Sequence, residues 1–158
     1  MKYLMILLLL PGLAFANANN PRDVAGFFNK MTKDNVAEVC AEFYAEDVKF
    51  VDPLGSVQGR KELVAYYQHM YENVISIHFE DQGVFEKGDE SVFIWNMRLK
   101  HSAIDADEPI EVSGTSVMRF KDGKVIYHRD YFDVGAMLYE HIPVLGCAIK
   151  SIKKRASQ

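Results

Sequence analysis

The stretch Val48-Lys49-Phe50-Val51-Asp52-Pro53-Leu54-Gly55-Ser56 decides how the chain is read. Val48 to Val51 reads as a short strand. Pro53, which has no amide hydrogen to give to a ladder, ends it, and Gly55 lets the chain turn back. An aspartate ahead of a proline is a common turn cap, so Asp52 has a structural reading before any other.

Upstream lie two helical patterns. Asn20 as N-cap and Pro21 at the first helical position open the first, with Val24, Phe27, Phe28 and Met31 at i, i+3, i+4, i+7. The second starts near Asp34 or Asn35, where Asn35 and Glu38 form a capping box, and stripes Val36, Val39, Cys40, Phe43 and Tyr44 on one face. Downstream, Leu63, Tyr66, Tyr67, Met70, Tyr71 and Val74 recur at helical spacing. Beyond Glu72 the period changes to two. Ile75 to Phe85, Ser91 to His101, Pro109 to Phe120 and Val125 to Phe132 read as strands, the last pair joined through Asp122-Gly123, a strong hairpin turn. Lys87-Gly88-Asp89 supplies the first reversal, and Ser102 to Glu108 is a longer acidic loop. A final helix carries Leu145, Ala148, Ile149 and Ile152 on a stripe.

Helix, helix, strand, helix, four strands, helix is an α+β layout. A curved antiparallel sheet wraps around helices and leaves a concave mouth.

The 158 residues are 49% hydrophobic and 25% charged, with a net charge of −4, which fits one compact domain. No basic excess drives contact with polyanions, so nucleic acid is not an expected partner. Lys2, the apolar run Tyr3 to Leu10 and small-residue sites near Ala16 and Ala18 mark residues 1–18 as a signal peptide. The run is too short to span a bilayer and Pro11-Gly12 breaks it, so no stable membrane insertion is expected after cleavage. Residues 19–158 then form the mature domain, periplasmic or secreted. Export allows Cys40 and Cys147 to pair; the alternative is two buried free thiols on apolar helix faces. Residues 141–158 hold Lys150, Lys153, Lys154 and Arg155 and no acid, against a net −9 over 19–140. A docked terminal helix with a solvated basic face is the expectation, ahead of an interfacial helix on anionic lipid.

Val51-Asp52-Pro53-Leu54-Gly55-Ser56, closing a strand after two helices, closely resembles the ketosteroid isomerases of the nuclear transport factor 2-like superfamily. The run Tyr127-His128-Arg129-Asp130-Tyr131-Phe132-Asp133 is similar to the SnoaL-like polyketide-cyclase branch. The resemblance implies a cone-like α+β barrel that often pairs through the outer face of its sheet, giving a homodimer. It hosts isomerases, cyclases, hydrolases and non-catalytic binding modules. It also puts Asp52 where the isomerases keep their proton-shuttling aspartate. The position of their oxyanion-hole tyrosine falls on Phe28, and that of their protonated aspartate on Ser116. Phenylalanine donates no hydrogen bond to an enolate, so a true ketosteroid isomerase is not expected.

Alternation places Val112, Gly114, Ser116, Met118 and Phe120 on one apolar inner face, and His128, Asp130 and Phe132 on the matching face of the last strand. A histidine and a carboxylate two residues apart can run acid and base work near neutral pH, facing Asp52. Phe28, Tyr66, Trp95, Ser116, Met118 and Phe132 are the expected pocket wall. Asp133 has the opposite phase and caps the next helix, so no metal site is expected from His128, Asp130 and Asp133. No glycine-rich phosphate loop, cofactor box or serine or cysteine nucleophile motif occurs. The expectation is an exported pocket protein for a small apolar molecule, a cofactor-free acid/base isomerase or cyclase on an apolar carbonyl compound. The alternative is a non-catalytic ligand-binding or protein-interaction module.

Overall fold

The computed structural model describes residues 23–158, the side chains of 105–107 excepted. The signal peptide and the Asn20-Pro21 helix start lie outside the described residues. Helix α1 (Val24–Lys30) is capped by Asp23, whose carboxylate accepts from the Gly26 amide at 2.8 Å. Helix α2 (Val36–Phe43) follows. Its expected capping box is not made: Asn35 instead accepts from the Thr32 amide and donates to the Lys30 carbonyl, bridging the link between the helices. Tyr44, read as part of the α2 stripe, turns extended and opens strand β1 (Tyr44–Asp52).

A short β2 (Gly55–Gln58), absent from the sequence reading, folds back on β1 around Pro53 and is followed by α3 (Arg60–Tyr71). The long strands β3 (Val74–Lys87), β4 (Glu90–His101), β5 (Asp105–Lys121) and β6 (Lys124–Phe132) come next. Strand β5 takes in residues expected in the acidic loop. Asp122 and Gly123 both have positive φ, the backbone of the tight hairpin that their pairing calls for. A four-residue α4 (Val134–Met137), capped by Asp133 as expected, and a 3-10 turn (Tyr139–His141) lead to α5 (Leu145–Ala156).

The six strands lie in the order β2-β1-β6-β5-β4-β3 and do not close into a barrel. Strands β3 to β6 pair antiparallel as expected, and the placing of β1 beside β6 makes the sheet mixed. Strand β6 arrives beside β1 after the whole α3–β5 crossover and runs parallel to it, pairing Phe50 with His128. Helices α1 to α3 fill the concave face, burying Phe27, Phe28 and Leu63 against Phe93, Met118 and Val125. Asn29 fastens α1 to the sheet by bonding both backbone groups of Phe79.

Cys40 is fully buried, and burial pushes its thiol up to about 12; Cys147 is exposed on α5. Both are free thiols, so the disulfide alternative is not formed, and the buried-thiol reading holds for Cys40 alone. Helix α5 docks at its root, where Gly146 is buried and Ile149 half-buried, while Leu145 and Ile152 stay 42% and 64% exposed. Among the described residues, no helix is long and apolar enough to cross a membrane.

Candidate functional site

Strand alternation sets the inner wall as read from the sequence. His128 and Asp130 point inward on β6 while Tyr131 is exposed on the other face, and Ser116 and Met118 point inward from β5. The antiparallel register places Ser116 beside Asp130 and Met118 beside His128. One row further, Trp95, Gly114 and Phe132 stand in line across three strands. Gly114 is required there, because a Cβ at this position would fall 2.3 Å from the Trp95 ring.

Two hydrogen-bonded arms converge on one oxygen of Asp130. In the first, Trp95 Nε1 donates to Ser116 Oγ at 2.9 Å, and Ser116 donates to Asp130 Oδ1 at 2.5 Å. In the second, His128 Nε2 lies 2.8 Å from the same Oδ1, and His128 Nδ1 lies 2.7 Å from the Tyr44 hydroxyl. Tyr67 hydroxyl stands 3.1 Å behind that of Tyr44. A carboxylate only accepts, so Nε2 carries a hydrogen. With one proton on the ring, Nδ1 then accepts from Tyr44, which accepts from Tyr67. Burial, above all, raises the pKa of both phenols, so both keep their protons.

His128 is 0% exposed and boxed by the rings of Phe28, Tyr44 and Phe50. It stands behind Asp130 and does not line the cavity. Its contact with the cavity runs through Asp130, whose Oδ1 it holds. Asp130 Oδ2 receives no hydrogen bond from a described residue, and the side chain keeps 12% of its surface open.

Asp52 serves the turn and the cavity together. Its Oδ1 accepts from the Leu54 and Gly55 amides at 2.8 Å each, the expected cap, and its Oδ2 accepts from Tyr66 hydroxyl at 2.5 Å. Burial, then the bond to Asp52, raises the Tyr66 phenol.

Between the helices and the sheet lies a cavity of about 70 Å³ bordered by both Asp52 and Asp130. Of the expected wall, Phe28, Trp95, Ser116 and Phe132 line it. Met118 is packed in the core behind, and Tyr66 meets the site through Asp52. Residues that the sequence reading missed here include Phe79, Met70 and Met137 on the wall and the Tyr44–Tyr67 relay behind it. The relay left one signal: a tyrosine on an apolar helical stripe brings a hydroxyl that needs a partner when buried. Among the described residues, no three His, Cys, Asp or Glu side chains gather to hold a metal ion.

Known structures share this architecture at low sequence identity. A protein from Shewanella denitrificans described as a SnoaL-like polyketide cyclase superposes with a TM-score of 0.60 at 19% identity, over 74% of this chain and 93% of that one. An LEH-like epoxide hydrolase from M. tuberculosis gives 0.57 at 15% identity, over 70% and 80%. A hypothetical protein of ketosteroid isomerase-like fold from Catenulispora acidiphila, solved in complex with trimethylamine, gives 0.59 at 15% identity, over 65% and 78%. No curated protein matches this chain in sequence. Residues 24–128, from α1 to the buried histidine of β6, match the SnoaL-like domain, and the chain belongs to that family.

Proposed function

We propose that the protein is exported and that its pocket performs cofactor-free acid–base chemistry on a small apolar carbonyl compound, with Asp130 as the proton carrier. One observation carries this reading. Asp130 borders an apolar cavity, its Oδ1 is held by His128 and Ser116, and its Oδ2 is left without a described donor. A carboxylate oriented in this way can take a proton from a carbon next to a carbonyl and return it to another carbon. The 70 Å³ space has room for about two waters' share of liquid volume. Met70, Met97 and Met137, unbranched and adaptable, let the wall yield to a larger guest. Asp52 supplies a second carboxylate to the same space. Pairing of two chains through the outer sheet face belongs to the reading, supported by the exposed rings of Phe85 and Tyr131 on that face.

A second reading, binding without turnover, is favoured by the donors. The Ser116 hydroxyl is given to Asp130, the Trp95 N–H to Ser116 and the Tyr66 hydroxyl to Asp52, so none of these meets a developing oxyanion. Two carboxylates among aromatic rings, with no lysine or arginine on the described lining, complement a small organic cation. The trimethylamine complex of the Catenulispora protein supports this alternative.

Loss of the α-proton signals of small ketones in D₂O, followed by NMR beside calorimetric titration with trimethylammonium, tests both. Acid–base turnover requires exchange that Asp130→Asn abolishes with melting little changed. Saturable amine binding lost in Asp130→Asn, without exchange, selects the second reading. Neither exchange nor binding refutes the pocket as the functional site.

A further inference from the structure

Helix α5 lies beyond the part of the chain that matches the family, and it plays no part in the pocket. Leu145, Ala148, Ile149, Ile152 and Ala156 recur at spacings of three and four, which places them on one arc. Lys150 and Lys154 fall on the opposite side, and Lys153 and Arg155 flank the arc. The body of the protein covers that arc only in part: Ile149 is half-buried, Leu145 and Ile152 are exposed, and Ile142 and Val144 continue the exposed apolar surface at its start, Val144 at 84% exposure.

The helix is nonetheless held in a set direction. Lys153 Nζ binds Glu140 Oε1 at 2.6 Å and Asp133 Oδ2 at 3.0 Å, and Gly146 packs so closely under the Glu140 carbonyl that a Cβ would not fit. Among the described residues, no acid pairs with Lys150, Lys154 or Arg155. An apolar arc edged by cations, in a segment without a single acid, has the chemistry of a helix that lies in a bilayer surface with its cations among anionic headgroups.

We infer that α5 docks in the plane of an anionic phospholipid surface, apolar arc down, and holds the pocket domain against the membrane without spanning it. The inference is independent of what the pocket binds.

Amide hydrogen exchange of the full chain, read on peptides covering 145–156, isolates α5 from any contact made elsewhere. With vesicles of equal phosphatidylglycerol and phosphatidylcholine, exchange in these peptides should slow by at least about fivefold. The protection should be absent on phosphatidylcholine alone and lost at about 0.5 M salt. It should also be lost in Ile152→Asp and in the combined Lys150→Gln, Lys154→Gln, Arg155→Gln variant, both altered at exposed positions away from the core. Unchanged exchange on the anionic vesicles, or equal protection on the zwitterionic ones, overturns the inference. Protection that rises with protein concentration when vesicles are left out also overturns it, by assigning the face to a second copy.

Discussion

Asp130 is defined less by its own position than by what holds it. Its neighbour in register, Ser116, and its neighbour two residues back, His128, meet the same oxygen, and each is backed by an aromatic side chain. Tyr44 is the least replaceable member of the second arm. Tyr44→Phe keeps the ring packing but strips His128 Nδ1 and the Tyr67 hydroxyl of their shared partner in a site without water access. It should lower stability by about 1–3 kcal/mol. Tyr67→Phe, at the end of the relay, should cost less, because only one bond is lost. Denaturant unfolding measures both, and equal or absent effects would show that the relay is not formed. The inward phase of His128, Asp130 and Ser116 was legible from strand alternation. The relay was not, because Tyr44 and Tyr67 read as ordinary members of apolar helical stripes, and hydroxyl pairing depends on how α3 lies across β1.

At the level of elements, the period of two beyond Glu72 and the Asp122-Gly123 turn were enough to find β3 to β6. The helix-to-strand change at Tyr44 was hidden, because the apolar spacing continues through it. The parallel pairing of β1 with β6 was hidden too, since no local signal states where a strand returns. The clip at the root of α5 yields a pH expectation. Asp133 is held below its ordinary 3.8, first by the hydrogen bond from Lys153 and then by the Ala136 amide. Lys153 is raised above its ordinary 10.5, first by Glu140 and then by Asp133. A lowered carboxylate contributes fully above 3.8 and is lost as pH falls through its lowered value. A raised ammonium contributes fully below 10.5 and is lost as pH rises through its raised value. The clip therefore holds between these limits and releases beyond them. Backbone ¹⁵N relaxation should show α5 gaining motion on acidification before the sheet does, and high salt should mimic the effect because these groups lie at the surface. An α5 that stays as ordered as β5 while Asp133 titrates would contradict this.

For the molecule as a whole, the Val51–Ser56 stretch and the final strand were sufficient for the family and its α+β layout. They did not reveal that the sheet stays open or that the cavity is narrow. Cavity size is set by how Phe28, Trp95 and Phe132 share the space between layers, a packing outcome that no single segment encodes. Nor did they reveal that α5 leaves much of its apolar arc exposed, since an amphipathic stripe states that a face needs cover and not what covers it. The account centres on the open oxygen of Asp130 as the group that meets the ligand. Side-chain carboxyl ¹³C resonances, followed during titration with a small ketone and with trimethylammonium, address that oxygen directly. The Asp130 resonance should move with ligand, accompanied by the His128 Nε2 proton, while exposed Asp34 in the link between α1 and α2 stays fixed. A ligand that binds the protein saturably and leaves the Asp130 resonance unmoved would contradict the account.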